Sequence, residues 1–168
     1  MLELHIRNER KIREMKIRIK YFEGATKLKK ISKGNWIDVY ACKDIFVPLN
    51  ERAMVPLGFA LELPSGWEAH LAPRSSTFKT WGIIQTNSVG VVDDTYIGDN
   101  DQWHMPVYCL EGKGTELIDG EEIKGTWIRK GDKIAQFRIM EVMPEIQFDE
   151  VESFGNCDRG GFGTTGTN

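Results

Sequence analysis

The chain has 168 residues, 40% of them hydrophobic, and a formal net charge of −3 at pH 7. These values predict one domain with a genuine core and argue against a nucleic-acid-binding protein, which usually carries a basic excess. No apolar stretch approaches the length of a membrane span, and the N-terminus lacks the apolar core of a signal peptide, so we expect a cytoplasmic protein. The scattered Cys42, Cys109 and Cys157 indicate free thiols, and no His/Cys set has zinc spacing.

Residues 1–14 differ from the rest of the chain because they are dense in charge and lack turn signals. We interpret them as an N-terminal appendage. From Met15 onward, Ile17, Ile19 and Tyr21 alternate with basic residues, which predicts a first β-strand. The predicted domain therefore covers 15–152.

Short β-rich segments separated by Gly/Pro turns follow along the domain. They lie at 36–42, 45–49, 54–63, 67–73, 82–87, 89–93, 105–110, 133–142 and 145–151. No window of 12 or more residues between them has a convincing helical period. The pattern is typical of an all-β sandwich, barrel or jelly-roll-like fold.

Two segments depart from this pattern. Residues 111–130 form an excursion in which Asp119-Gly120 predicts the turn of a β-hairpin. A surface hairpin is the simplest interpretation, and a contact site for a protein partner is the alternative. Residues 153–168 are glycine-rich towards the end and have no strand pattern, so they are interpreted as a flexible C-terminal arm.

Three clusters carry residue types suited to nucleotide chemistry. Residues 73–76 combine an arginine with two serines at a strand end, a set that can bind phosphate oxygens. Residues 87–98 place Asp93 directly after an apolar run, where it could act as a general base. Residues 159–166 combine Gly, Arg, Thr and Phe, which suit close approach, phosphate binding and stacking. Taken singly, each also has an ordinary explanation as a turn or a flexible terminus.

The three clusters, in this order on an all-β chain, resemble the trimeric dUTPase family. All five ordered motifs of that family have counterparts here, at 34–41, 73–76, 87–98, 131–136 and 159–166. The resemblance implies an all-β, distorted jelly-roll (β-clip) barrel and a homotrimer with an exchanged C-terminal arm. It also implies a dUTP diphosphatase that releases dUMP and pyrophosphate, limiting uracil in DNA and supplying dUMP for dTMP synthesis.

The resemblance assigns the nucleoside to the third motif. Asn87, with backbone groups around Gly90 and Val92, would bind the uracil edge, and Tyr96 would pack on the deoxyribose. Asp93 would bond the 3′-hydroxyl and deprotonate the water that attacks the α-phosphorus in line. Such chemistry depends mainly on positioning and charge neutralisation.

The resemblance also assigns phosphate, metal and lid residues. Mg²⁺ would bridge the triphosphate oxygens, with Asp38 as a water-mediated partner. Phe162 would cap the uracil, but it follows Arg159 by only three positions, where the family commonly has five, so Trp103 is an alternative cap. The phosphate-binding residues would be Arg74, Ser75, Ser76, Gln136, Arg159, Thr164 and Thr165.

Two other departures affect the motifs. The residues before Asp38 in the first motif differ from the common form, and Ile97 stands where a basic residue is usual. The short fifth motif and the segment 99–103 resemble Bacillus-type and phage enzymes.

Two rival functions use the same fold, and the first of them is disfavoured. A dCTP deaminase shares the fold and an Arg-Ser-Ser motif, but its chemistry needs a glutamate near the pyrimidine, and residues 69–110 contain none. A phage-type regulator would use the fold to capture a regulatory protein through 111–130 or 1–14. No membrane or nucleic-acid partner is expected.

Overall fold

The computed structural model describes residues 14–160, and their architecture is almost entirely β. The predicted all-β class is confirmed. The strands are β1 (Arg18–Tyr21), β2 (Ile37–Tyr40), β3 (Ile45–Pro48), β4 (Arg52–Pro56), β5 (Phe59–Glu62), β6 (Trp67–Pro73), β7 (Ile83–Gln85), β8 (Gly90–Val92), β9 (His104–Cys109), β10 (Gly114–Ile118), β11 (Glu121–Ile128) and β12 (Lys133–Glu141). The one helix of this region, α1, spans Thr77–Trp81. It is too short to cross a membrane.

The strands form four small antiparallel sheets. The largest has the order β2-β12-β6-β8, and the others are β10-β11-β3, β4-β9-β7 and β1-β5. Within the largest sheet, Gln136 of β12 lies between Asp38 of β2 and Ala72 of β6. On its other side β6 pairs with β8, so that Leu71 faces Gly90. One sheet thus carries parts of the first, second, third and fourth motifs.

The core lies between these sheets and is strongly apolar. Trp103, Phe59 and Phe137 are at most 2% exposed and pack against one another, with ring centroids 5.1 to 6.1 Å apart. Aliphatic residues from β2, β3, β4, β6 and β9 surround this cluster. Alternating residues of these short strands point inward, which accounts for the period of two in the sequence.

The segment 54–63, predicted as one strand, is two strands in different sheets. Gly58, with φ of +77°, divides β4 from β5. A Cβ at this position would lie 2.7 Å from Cβ of Cys42, so only glycine fits the bend. The local pattern did not reveal the break because both halves are apolar.

The excursion 111–130 is only partly a surface feature. The predicted hairpin is present, with Asp119 and Gly120 at positive φ in the turn between β10 and β11. However, β11 continues past the hairpin and pairs with β3 from Gly125 to Ile128. Ile128 is fully buried, so the second half of the excursion belongs to the domain core.

The predicted strand at 145–151 is wrong for this chain: the segment forms no strand and is exposed throughout. In the part of the chain that the structure describes, its alternating pattern has no partner strand, and Phe148 is 94% exposed. The Val142 N–H donates to the Gly66 carbonyl. After Val142, residues 143–160 form no hydrogen bond with the rest of the described chain.

Candidate active site

A depression of about 410 Å³ opens beside β8, and we call it the nucleoside depression. Seven residues of the third motif line it, namely Asn87, Gly90, Val91, Val92, Asp93, Thr95 and Tyr96. Met54, Leu71, Gln102, Trp103, His104 and Pro106 complete the wall. The volume falls within the range of small-molecule sites. The structure therefore gathers all the residues predicted to hold the base and sugar.

The wall of the depression has no room for a side chain at Gly90. A Cβ at Gly90 would lie 3.2 Å from Cβ of Leu71 and 3.6 Å from Nδ2 of Asn87. The missing side chain lets β8 lie close against β6 and keeps the space beside Asn87 open. The turn before it is tight, with Ser88 at φ of +56°.

Asp93 follows β8 and begins a turn. Its Oδ1 accepts hydrogen bonds from the Thr95 N–H, at 2.8 Å, and from the Thr95 hydroxyl. These bonds, the hydroxyl first, lower the pKa of the Asp93 carboxyl below its usual range. Asp93 is therefore ionised at neutral pH and held in place, as a carboxylate that orients water needs to be.

Tyr96 lies three residues further on and remains 42% exposed. Its hydroxyl donates to the Gln102 carbonyl at 3.2 Å, which fixes the ring at the rim of the depression. The Oε1 of Gln102 in turn accepts from the Gly58 N–H at 3.2 Å. Sequence reasoning missed Gln102, because its role arises from a contact 44 residues away.

Trp103, the alternative cap, is a core residue. It is 2% exposed and packs against Phe59 and Phe137, although part of it lines the depression. A residue so enclosed has no freedom to close over a bound base, and the alternative is not supported. Phe162, Thr164 and Thr165 lie outside the described residues.

A second depression of about 390 Å³ is lined by three of the predicted phosphate residues but not by Ser76 or Arg159, and we call it the phosphate depression. Asp38, Arg74, Ser75 and Gln136 line it, together with residues 33–36 and Ile31. Arg74 Nε lies 2.9 Å from Asp38 Oδ1, and Lys133 Nζ lies 3.1 Å from Asp38 Oδ2. Two cations thus meet one carboxylate, which leaves a net positive charge suited to an anion.

The local chain path explains how Arg74 is held. The Arg74 N–H donates to the Thr77 hydroxyl at 2.9 Å, and that hydroxyl donates to the Ile134 carbonyl at 2.7 Å. Ser75 and Ser76 form the turn between Arg74 and α1. Thr77 is fully buried and was not predicted as a site residue, although it directly follows the second motif.

The two depressions share no lining residue. Arg159 is exposed near the end of the described chain and makes no ion pair with another residue between 14 and 160. One chain therefore presents the residues predicted for the nucleoside and those predicted for the phosphates in separate depressions, and we call these the nucleoside half and the phosphate half.

The donor set fits a metal ion carried by a substrate better than a resident one. Within residues 14–160 no cluster of three or more His, Cys, Asp or Glu side chains could hold a metal. Mg²⁺ commonly binds one or two carboxylates together with substrate phosphates and water. Asp38 in the phosphate depression can supply such a carboxylate.

Comparison with known proteins places this geometry in context. The family model described as dUTPase matches residues 29–107. A SPbeta prophage-derived deoxyuridine 5′-triphosphate nucleotidohydrolase of Bacillus subtilis is 49% identical over 91% of this chain and 99% of its own length. A deoxyuridine 5′-triphosphate nucleotidohydrolase of Hydrogenobaculum is 34% identical over 77% of this chain and 82% of its own.

Solved structures show the same fold at lower identity. The dUTPase of Staphylococcus bacteriophage 80alpha with dUPNHPP superposes with a TM-score of 0.70 at 18% identity, covering 90% of this chain and 99% of the other. A mutant dUTPase from phage phi11 of S. aureus, described with a structural Mg(II) ion, gives a TM-score of 0.66 at 18% identity, covering 83% and 99%. With a relative that matches almost throughout at 49% identity, the chain belongs to the dUTPase family.

Proposed function

We propose that this chain is a dUTP diphosphatase that hydrolyses dUTP to dUMP and pyrophosphate. The observation that carries the proposal is the nucleoside depression, in which an ionised Asp93, an exposed Tyr96 ring and Asn87 line one space. A pyrimidine deoxynucleoside in this space would bind Asn87 with the edge of its base, pack its sugar on Tyr96 and bond Asp93 with its 3′-hydroxyl.

In this mechanism Asp93 holds a water and accepts its proton as the water attacks the α-phosphorus. The bonds from Thr95 to Oδ1 fix the carboxylate, and Oδ2 is the oxygen left to approach the water. Arg74 and Gln136 bind phosphate oxygens, assisted by the hydroxyls of Ser75 and Ser76. Placing the phosphate and balancing its charge contribute most of the rate in such reactions.

Mg²⁺ is part of the proposal, with Asp38 as its protein partner through water. The ion would neutralise the triphosphate and the leaving pyrophosphate. Arg74 and Lys133 already pair with Asp38, so triphosphate binding requires these cations to exchange one anionic partner for another. The B. subtilis and Hydrogenobaculum relatives, named for deoxyuridine 5′-triphosphate hydrolysis, support the substrate.

We further propose a homotrimer in which the nucleoside half of one copy faces the phosphate half of a neighbour. Two features support this arrangement. The halves share no lining residue, and among residues 14–160 the segment 143–160 leaves apolar side chains largely exposed, including Phe148 at 94% and Phe154 at 85% exposure. An arm exchanged with a neighbour would bury them and bring Arg159, with Phe162, Thr164 and Thr165, to the neighbour's site.

Subunit mixing tests the shared site. Asp93→Asn disables the nucleoside half and Arg74→Ala disables the phosphate half. After unfolding and refolding together in equal amounts, about a quarter of the sites in a randomly mixed oligomer would combine two intact halves. We expect activity to reappear in the mixture. If the mixture stays as inactive as each variant alone, both halves serve one chain's own site.

Capture of a regulatory protein is a second proposed role, and the hairpin of β10 and β11 favours it. Leu117 is 69% exposed and Ile118 is 40% exposed at its tip, where a partner could cover them. Leu117→Lys with Ile118→Lys tests whether the tip is free for such a role. If dUTP turnover is unchanged, the tip is not needed for hydrolysis and is free to bind a regulatory protein. If turnover collapses while the fold stays intact, the tip is needed for hydrolysis and the second role is contradicted.

A further inference from the structure

Gln85 is a buried polar residue beside the nucleoside depression that the mechanism above does not use. It ends β7, two residues before Asn87, and is 5% exposed. It is absent from the described lining of the depression, so it would not touch a bound nucleoside directly. A buried amide with this position acts through whatever it bonds.

The Gln85 amide is held in one orientation. Its Nε2 donates to the Leu71 carbonyl at 3.0 Å and to Oδ1 of Asn87 at 2.9 Å. A backbone carbonyl can only accept, so the contact with Leu71 determines which end of the Gln85 amide is the nitrogen. Both N–H bonds of Nε2 are then used.

The orientation of Gln85 determines that of Asn87. Because Nε2 of Gln85 is a donor, the atom of Asn87 beside it has to be the oxygen, which leaves Nδ2 as the group Asn87 can offer. Nδ2 lies 3.6 Å from the Cβ position of Gly90, and Gly90 lines the depression. Turning the Asn87 amide over would set two donors against each other and leave a buried N–H of Gln85 unpaired, which is unfavourable.

We propose that Gln85 is a specificity-determining positioning residue, which locks the Asn87 amide with its N–H₂ group towards the base. This proposal rests on the proposed function. An N–H group at that point donates to the O4 carbonyl of a uracil-type edge and opposes the N4 amine of cytosine, which is itself a donor. Gln85 thereby prevents the Asn87 amide from rotating, so that Asn87 always presents a donor to the base.

The test replaces Gln85 by a side chain of similar size without a donor. Gln85→Met frees Asn87 to rotate, so the equilibrium affinity for dUMP relative to dCMP should fall about tenfold or more. In turnover of dUTP, KM should rise while kcat changes much less, because the base and not the reacting phosphorus is affected. Gln85→Glu is a second variant. An ionised carboxylate accepts from the Asn87 amide and thereby turns the Asn87 oxygen towards the base, so the affinity for dUMP relative to dCMP should again fall.

Matched controls separate positioning from general loss of stability. Thr126→Val alters another buried polar residue, 2% exposed on β11 in a different sheet, and should leave the dUMP/dCMP ratio unchanged. In an Asn87→Ala background, Gln85→Met should cause no further loss of discrimination, because Gln85 acts only through Asn87.

Two failures are distinguishable in this experiment. If the unmodified protein binds dUMP over dCMP but does not hydrolyse dUTP, the proposed function fails. If either folded Gln85 variant keeps the full dUMP/dCMP ratio, or Gln85→Met still lowers it in the Asn87→Ala background, the inference about Gln85 is overturned.

Discussion

Replacement of Asp93 by asparagine removes the proposed base while leaving its surroundings almost unchanged. The asparagine Oδ1 can still accept the two bonds from Thr95 that hold the present carboxylate. Neither the turn after β8 nor the nucleoside depression should therefore change shape. The lost property is the ability to take a proton from water.

The expected loss follows from that single change. A positioned general base typically contributes about 10²- to 10⁴-fold to a rate, or about 2.7 to 5.5 kcal/mol of barrier. Binding should change far less, because a bond from Asp93 to the 3′-hydroxyl can be kept by the asparagine oxygen. A change in Kd of roughly tenfold or less is expected for one altered hydrogen bond.

Two measurements on one preparation check this prediction. Pyrophosphate release with dUTP and Mg²⁺ gives kcat, and calorimetric titration with a non-hydrolysable dUTP analogue gives Kd. Near-normal kcat in Asp93→Asn would refute the role of Asp93 as base. A kcat loss matched by an equal loss of binding would show that Asp93 only holds the nucleoside.

Three further predictions address the acid limb, the phosphate half and the core. Because Thr95 lowers the pKa of Asp93, the base stays ionised until the pH falls through that lowered value; Thr95→Val should raise the pKa and move the acid loss of kcat/KM to higher pH. Thr115→Val, at an exposed position of β10, is the control variant. If the acid limb of the kcat/KM profile does not move in Thr95→Val, the assignment of that limb to Asp93 is contradicted. Arg74→Ala should weaken triphosphate binding about 10- to 100-fold but dUMP binding much less, as compared by titration with dUMP and the dUTP analogue; equal losses would remove Arg74 from the phosphate half. Trp103→Ala should cost about 3–5 kcal/mol of unfolding free energy in denaturant titrations, and full stability with weakened dUMP binding would instead make Trp103 a lid.

The sequence predicted the residues of each half of the site better than their arrangement. The resemblance to the dUTPase family identified Asn87, Asp93 and Tyr96, which stand close together in one contiguous motif. It did not identify Gln102 or Lys133, whose roles come from contacts with residues far along the chain. Pairings of this kind depend on tertiary packing, which periodicity does not encode.

Strand positions were predictable where a strand keeps its partner within the chain. The segment 67–73 became β6 with the predicted bounds, and the hairpin turn at Asp119 and Gly120 formed as expected. The segment 145–151 has an equally regular pattern but no partner strand among residues 14–160. Alternation predicts a half-buried surface, and whether the partner is the same chain or a neighbour is invisible in a single sequence.

The central claim is tested most directly by pyrophosphate release from a panel of dUTP, dCTP, dTTP and UTP with Mg²⁺. The geometry of Asn87, Gly90 and Tyr96 predicts that kcat/KM for dUTP exceeds the other three values by at least about a hundredfold. Comparable release from dCTP, dTTP or UTP, or sustained formation of uridine nucleotide from dCTP, would contradict it.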